Sequence, residues 1–211
     1  TMQVFQVKDR MRVEANCVYV IPRNKNLSIL QGVLYVLDPL VQCGLRLSID
    51  FFFRALADDR QEHSIGVILS GMGSDGTLGL RAIKDKAGVT FVQDPASAKF
   101  DGMPRSAINA GLADVIAPVE ELPGKIYSHL QYVPIINKPG HPDEYTAQSS
   151  LEKVMILLRG KTGSDFSLYK KSTIYRRIER RMGLHQISKI AGYVRFLREN
   201  PQEVELLFSE L

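Results

Sequence analysis

Hydrophobic residues in the first third of the chain occur in short runs that indicate strands. Residues 17–21, CVYVI, form the clearest of these runs. Two further runs, at 27–30 and 33–37, are separated only by Gln31 and Gly32, so they predict a hairpin with a two-residue turn. A helical spacing follows through IDFFFRALADD, and Ser48 is expected to cap the amino end of that helix.

The pattern then changes to continuous apolar runs that alternate with helical segments. The runs are IGVIL (65–69), VTFVQ (89–93) and ADVIA (113–117). Helical patterns follow each of them, the first reaching Lys86, the second opening at Pro104 and the third lying within ELPGKIYSHLQ. This alternation is typical of a parallel sheet whose strands are covered on both faces.

Residues 133–150 are rich in proline, show no clear period and are predicted to form a linker. Beyond them no strand pattern occurs, and four helical segments follow. Gly183 is placed to stop the second of these helices, and Asn200 with Glu203 matches a capping box at the start of the fourth. We therefore predict an α/β domain with a partial, Rossmann-like parallel sheet at 1–132 and a small all-α domain at 151–211.

Charge is divided unevenly between the two predicted domains. Residues 1–150 hold 15 Lys and Arg against 16 Asp and Glu, whereas residues 151–211 hold 12 against 7. The basic second part therefore points to an acidic partner for that part alone.

No apolar run reaches the roughly 18 residues of a membrane span, and no secretory signal is visible. Cys17 and Cys43 fit buried free thiols, so we expect a cytoplasmic protein.

The stretch GMGSDG, residues 71–76, follows the first apolar run and has the form G-x-G-x-x-G. With Asp94 after the next run, it matches the dinucleotide-binding fingerprint. Asp75, however, would place a carboxylate where a phosphate must bind, which disfavours that interpretation. Two alternatives remain: Asp75 caps the following helix, or it is the acid of a catalytic triad at the carboxyl end of a parallel strand.

The other members of a triad are not evident from spacing. No G-x-S-x-G turn for a nucleophilic serine occurs in the chain. His63 precedes the strand and is expected at the opposite end of the sheet, and solvated side chains are expected for His129, His141 and His185. Spacing alone therefore leaves Asp75 without catalytic partners.

Five segments together resemble the catalytic domain of the chemotaxis protein-glutamate methylesterase, CheB. They are VYVIPRNKNL (18–27), LRLSIDFFFRALADD (45–59), IGVILSGMGSDGTLGLRAIK (65–84), QDPASAKFDGMPRSAINAG (93–111) and ELP (121–123). The resemblance implies a serine hydrolase that removes methyl groups from glutamate methyl esters on chemoreceptors, with a Ser-His-Asp triad and no cofactor. Of that triad only the aspartate matches a position here, Asp75.

The resemblance places the serine and histidine motifs upstream of residue 1. It therefore implies a truncated domain that is inactive by itself, because a triad acid has no activity alone. A missing strand would leave a sheet edge open to self-association. We also expect backbone N–H groups of the loop formed by Gly71, Met72, Gly73 and Gly76 to line a substrate and oxyanion pocket.

The second part, GSDFSLYKKSTIYRRIERRM (163–182) and YVRFLRENPQEVELLFSEL (193–211), resembles the helical amino-terminal domain of the receptor methyltransferase, CheR. That family uses S-adenosylmethionine, and the resemblance places the domain that binds it after Leu211. By spacing alone, the arginine cluster of this part fits a solvated helix face, an acidic protein partner or nucleic acid. The resemblance favours docking onto glutamate-rich receptor helices over nucleic acid. The spacing puts Ile174, Ile178 and Met182 on a buried face. The arginines expected to dock are Arg176, Arg177, Arg180 and Arg181.

Together the two resemblances predict part of a CheB–CheR fusion that acts on methyl-accepting chemoreceptors. Two other classes of function stay open at this point. A non-catalytic scaffold would only dock onto receptors, and an NAD-dependent oxidoreductase would bind a dinucleotide at the glycine loop.

Overall fold

The computed structural model describes residues 2–39, 47–131, 144–166 and 169–211. They form two compact units, Thr1–Leu122 and Pro123–Leu211, called here the α/β unit and the helical unit. Residues 133–143 of the predicted linker lie outside the described residues, and a helix begins at Glu144. The predicted domain boundaries therefore stay a prediction. In the described residues no helix is long and apolar enough to cross a membrane.

The α/β unit contains eight strands and three helices among its described residues. The strands are β1 (Gln3–Gln6), β2 (Met11–Arg12), β3 (Cys17–Val20), β4 (Asn26–Leu30), β5 (Val33–Leu37), β6 (Ile65–Ile68), β7 (Val89–Gln93) and β8 (Val115–Ala117). The helices are α1 (Ser48–Arg60), α2 (Thr77–Asp85) and α3 (Gly102–Asn109), with short 3₁₀ helices at Gln61–His63 and Pro95–Ser97.

Strands β6, β7 and β8 form a parallel sheet in that order, which confirms the predicted fold class. The central strand β7 is buried along its whole length, as expected for a strand covered on both faces. Ile68 and Val92 are register partners, and both pack with Leu80 of α2 and Ala107 of α3. The sheet is therefore joined to its helices through one continuous apolar layer.

The predicted hairpin is confirmed as β4 and β5, paired antiparallel with Leu30 opposite Val33. Gln31 and Gly32 both have positive φ angles, 52° and 73°, the geometry of a type I′ turn. Their backbone N–H groups donate to the carboxylate of Asp59, near the end of α1. The turn is thus fixed to the carboxyl end of that helix.

Helix α1 packs against two separate apolar clusters. Ile49 and Phe53 contact the cluster of the parallel sheet, whereas Phe52 and Leu56 contact the cluster beneath the hairpin. Its position therefore connects the two parts of the unit. Ser48, expected as the cap, makes no side-chain capping hydrogen bond. That prediction is wrong because the cap comes from another segment of the chain.

The loop between β6 and α2 turns through two glycines with positive φ angles, Gly73 at 82° and Gly76 at 92°. A Cβ added at Gly76 would lie 2.4 Å from Ile68 Cδ1 and 2.9 Å from Ile49 Cγ2, whereas one added at Gly73 would meet nothing within 4 Å. Gly76 is therefore required for both conformation and space, and Gly73 for conformation alone.

The helical unit has α4 (Leu122–Gln131), whose first residue belongs to the α/β unit, and then α5 (Glu144–Thr162), α6 (Lys171–Leu184), α7 (Ile190–Glu199) and α8 (Pro201–Ser209). The predicted buried face of α6 is confirmed. Its three members pack in one cluster with Tyr193 and Leu207; they are Ile174, Ile178 and Met182.

A buried ionic network crosses this unit from α6 to α8. Arg181 Nε donates to Glu203 Oε1 at 2.8 Å, and Tyr193 Oη donates to the same oxygen at 2.9 Å. Arg180 Nη1 lies 2.6 Å from Glu210 Oε1. Burial would raise the pKa of Glu203, but hydrogen bonds from His185 and Arg181 and the positive charge of those two side chains lower it to about 2.

The predicted helix ends differ from the structure in two places. Asn200 makes no side-chain cap, and Glu203 turns inward to Arg181, so the capping box is wrong. Gly183 lies inside α6, and the residue with a positive φ after that helix is Gln186, at 55°. The buried ion pair between Glu203 and Arg181 accounts for the absence of the capping box.

Replacing Gly76 by Ala should destabilise the α/β unit more than replacing Gly73 by Ala. Strain from the left-handed backbone costs about 1–2 kcal/mol at either position, and only Gly76→Ala adds a clash with Ile68 and Ile49. Urea unfolding followed by circular dichroism measures the difference. Equal losses would show that Ile68 and Ile49 do not pack against this glycine.

Replacing Glu203 by Gln should lower the free energy of unfolding of the helical unit by about 3 kcal/mol, because it leaves Arg181 buried without its anion. Glu205→Gln, at an exposed pair with Lys161, is the control and should have little effect. Because the folded pKa of Glu203 is about 2, its stabilisation is complete above its ordinary value of 4.5 and is lost as pH falls towards 2. Thermal unfolding at several pH values tests this. Parallel pH profiles for the native chain and Glu203→Gln would contradict it.

Candidate functional site

The glycine loop lies at the carboxyl end of β6, beside the segment that follows β7. The N–H of Ser70 donates to Gln93 Oε1 at 2.9 Å, and the Ser70 hydroxyl accepts the N–H of Phe100 at 2.9 Å. Gly71 donates its N–H to the carbonyl of Phe100 and accepts the N–H of Met103, both at 2.9 Å. The two loops are therefore held together at the edge where open α/β sheets build their sites.

Asp75 caps the amino end of α1. Its Oδ1 accepts the N–H of Asp50 at 2.9 Å, and its Oδ2 accepts the N–H of Ile49 at 3.1 Å. The alternative in which Asp75 caps the following helix is therefore wrong, because its hydrogen bonds go to a helix 25 residues earlier in the chain. The free N–H groups and dipole of α1 favour a carboxylate at this place.

Asp50 in turn caps the amino end of α2. Its side chain is buried, and Oδ1 accepts the N–H of Gly79 at 2.6 Å, in the first turn of α2. A Cβ at Gly79 would lie 2.5 Å from the Cβ of Phe53, so the two helices cross closely here. Asp50, in α1, therefore caps α2, and Asp75, just before α2, caps α1. Asp50 was not identified from the sequence; its only signal is an acidic residue among the apolar positions of α1.

Two of the predicted pocket residues, Met72 and Gly73, offer backbone N–H groups as hydrogen-bond donors. The N–H of Gly71 is bonded to Phe100, but neither Met72 nor Gly73 donates its N–H to an acceptor within the described part of the chain. The Met72 side chain is 76% exposed. A Cβ at Gly102 would lie 3.0 Å from Gly73 N, so the facing loop approaches this backbone closely. Two adjacent free N–H groups of this kind can receive an oxyanion.

Other residues singled out in the sequence lie away from Asp75. His63 lies in the 3₁₀ helix before β6, at the amino end of the strand, and among the described residues of the α/β unit no histidine bonds to Asp75. His185 lies 3.0 Å from Glu203 in the helical unit. His129 lies in α4, and His141 is outside the described residues. The predicted separation of Asp75 from the histidines is therefore observed for His63.

Asp94 has a local role. Its carboxylate accepts the N–H of Ala96 at 3.0 Å and caps the 3₁₀ helix that begins at Pro95.

Cys17 is a free, partly exposed thiol and not a buried one, and Cys43 is outside the described residues. Where residues are described, no group of His, Cys, Asp or Glu side chains could hold a metal ion.

The four arginines of α6 divide into two classes. Arg176 is exposed and Arg177 half-buried. The side chains of Arg180 and Arg181 are only 3% and 5% exposed and are paired with Glu210 and Glu203. The expectation that all four arginines dock onto the receptor is therefore wrong for Arg180 and Arg181, because their side chains belong to the buried ionic network.

The two units match two different protein families. The CheB methylesterase family matches residues 1–126, and the all-alpha domain of CheR methyltransferase matches residues 149–211. An uncharacterised 104.1 kDa protein of Rhodobacter capsulatus is 32% identical over 231 residues, covering 100% of this chain and 24% of that protein.

Relatives named as methylesterases match a part of this chain. The protein-glutamate methylesterase/protein-glutamine glutaminase 1 of Geobacter sulfurreducens is 33% identical over 132 residues, which are 60% of this chain and 36% of that protein. The chain therefore spans about a quarter to a third of the length of these two relatives.

A solved structure supports the same assignment. The CheB methylesterase catalytic domain of Thermotoga maritima superposes with a TM-score of 0.52 and 29% identity, over 57% of this chain and 66% of that one. The chain belongs to the CheB methylesterase family, and its methylesterase domain is followed by a CheR-type all-α domain.

Proposed function

We propose that the α/β unit contributes the acid and the oxyanion loop of a protein-glutamate methylesterase. The observation that carries the proposal is the position of Asp75, held at the carboxyl end of a parallel strand by two backbone N–H groups. Family membership supplies the reaction class, which is hydrolysis of a glutamate methyl ester to glutamate and methanol. The substrate is proposed to be a methyl-accepting chemoreceptor.

Asp75 suits the role of orienting a histidine. Each of its oxygens accepts one N–H in the structure, and a carboxylate oxygen has a second lone pair available. A histidine Nδ1–H can therefore donate to Asp75 without releasing α1. The fixed carboxylate would set the imidazole tautomer and stabilise its positive charge while the other ring nitrogen takes the proton of the serine.

The free N–H groups of Met72 and Gly73 suit the second requirement of ester hydrolysis. As serine attacks the ester carbonyl, its oxygen gains negative charge, and donors held in place stabilise it without reorganisation. Collapse of this tetrahedral intermediate breaks the bond to the methoxy group and releases methanol, leaving an acyl-enzyme that water then hydrolyses to glutamate and free serine. Loop 69–76 is braced by Gln93 and Phe100, so these donors are fixed before substrate binds.

The serine and histidine of this proposal come from outside the 211 residues. No histidine of the described α/β unit reaches Asp75, and the family's motifs for both residues are not matched in this chain. We therefore expect the 211-residue chain by itself to hydrolyse no methyl ester. Turnover of a methylated receptor by this chain would contradict the proposed division of the triad.

Replacing Asp75 by Asn should lower kcat by about 10⁴-fold in a protein extended to include the serine and histidine segments, because the imidazole loses its correct tautomer. Ser74→Ala, at the neighbouring exposed position, is the control and should leave the rate within about twofold of the parent. Hydrolysis of a radiolabelled methyl ester measures both. A rate for Asp75→Asn equal to that of Ser74→Ala would remove Asp75 from the triad.

We further propose that the helical unit docks onto an acidic helix of the receptor through Arg176 and Arg177. The buried ion pairs of Arg180 and Arg181 hold α6 in place, so exposed Arg176 and half-buried Arg177 lie on a rigid helix. The methyltransferase of the family takes S-adenosylmethionine. The described helical unit has no strand and so lacks the strand-to-helix edge where such nucleosides bind, and no methyl-transfer step is assigned to it.

The double variant Arg176→Ala/Arg177→Ala should bind a glutamate-rich helical peptide at least about tenfold more weakly than the native chain, because two charged contacts are lost. Arg159→Ala removes an exposed charge from α5 and should change the affinity by less than about twofold. Fluorescence anisotropy with a labelled peptide measures the affinities. Equal weakening by both variants would indicate general charge attraction and contradict docking on α6.

A further inference from the structure

A basic cleft lies between α5 and α7 of the helical unit. It is lined by six residues from the two helices: Ser150, Lys153, Ala191, Val194, Arg195 and Arg198. Ser150 and Lys153 are one turn apart on α5, and the other four lie on one face of α7. Ser150 and Val194 are buried, whereas the three cationic side chains are exposed at the rim. The cleft therefore has a small, partly apolar floor and a positive rim.

The cleft carries three positive charges and no negative one among its lining residues. No carboxylate lines it, and in the described residues Lys153, Arg195 and Arg198 have no ion-pair partner. Other cations of the unit are paired, Lys161 with Glu205 and Arg181 with Glu203. Three like charges around one concavity repel one another, and a bound anion would relieve that repulsion.

We propose that this cleft binds the phosphate groups of a soluble ligand such as a nucleoside diphosphate. A single carboxylate would offset only one of three positive charges, whereas a phosphate or diphosphate carries two or three negative charges at neutral pH. The forked guanidinium groups of Arg195 and Arg198 suit phosphate oxygens, and the Ser150 hydroxyl is a further donor. The concave shape suits a compact anion better than the side of a helix.

This site is separate from the proposed receptor contact. Its side chains lie on α5 and α7, whereas Arg176 and Arg177 lie on α6. It is also independent of esterase activity, which is proposed for the α/β unit. Failure of either proposal therefore leaves the other standing.

Isothermal titration of the 211-residue chain with inorganic pyrophosphate and with ADP, at constant ionic strength, tests the inference. We expect both to bind with a Kd below about 1 mM. Arg195→Gln and Arg198→Gln should each weaken binding by about tenfold, because each removes a charged, bidentate contact. Arg159→Gln, which removes the same charge from an exposed position on α5, should change the Kd by less than about twofold. Far-UV circular dichroism checks that the variants keep their helices.

The outcomes distinguish a nucleotide from the phosphate group alone, and both of these from an acidic polypeptide. Tighter binding of ADP than of pyrophosphate supports a nucleotide, and equal binding supports recognition of the phosphate group alone; both uphold the site. No binding at about 10 mM pyrophosphate would overturn it. Equal weakening by Arg159→Gln would also overturn it, because it would show only diffuse charge attraction. A glutamate-rich peptide that binds more tightly than ADP and loses affinity in Arg195→Gln would assign the cleft to an acidic polypeptide instead.

Discussion

The carboxylate of Asp75 at the amino end of α1 connects the proposed chemistry of the α/β unit to its fold. Helix α1 packs against the parallel-sheet cluster with Ile49 and Phe53 and supports the hairpin at its other end through Asp59. Asp50, in its first turn, caps α2 in return. The loop that presents Met72 and Gly73 is therefore fixed by the same contacts that join the two halves of the unit. A residue placed to orient a histidine must be rigid, and here the helix termini supply that rigidity.

The charged side chains of the helical unit lie partly in its interior and partly on its surface. Glu203 and Glu210 neutralise Arg181 and Arg180 in the interior, where an unpaired charge would be costly. The net positive charge predicted from the sequence is left to the surface, on Arg176 of α6 and around the cleft between α5 and α7. Arginines one turn apart on α6 thus have different environments, because Arg180 and Arg181 lie beside Glu210 and Glu203 whereas Arg176 is exposed.

Local patterns predicted the elements well. The turn at Gln31 and Gly32 depends on residues next to each other in sequence, and the continuous burial of β7 is visible in its apolar composition. The G-x-G-x-x-G pattern singled out Asp75 and the loop glycines, and the family resemblance added their roles in catalysis, which remain predictions. Contacts between distant segments were missed: Asp75 reaches Ile49, 26 positions away, and Glu203 reaches Arg181, 22 positions away. The capping rules at Ser48 and Asn200 use only neighbouring residues, so they could not show that distant carboxylates and buried ion pairs decide these ends.

The most direct test of the account is the amide proton of Ile49, compared by NMR between the native chain and Asp75→Ala. An amide that loses its carboxylate acceptor changes its chemical shift and exchanges faster with solvent. We predict both changes at Ile49, and a smaller change at the amide of Phe51, which donates to the carbonyl of Leu47. An Ile49 amide with the same shift and the same exchange rate in both proteins would show that Asp75 does not hold this helix.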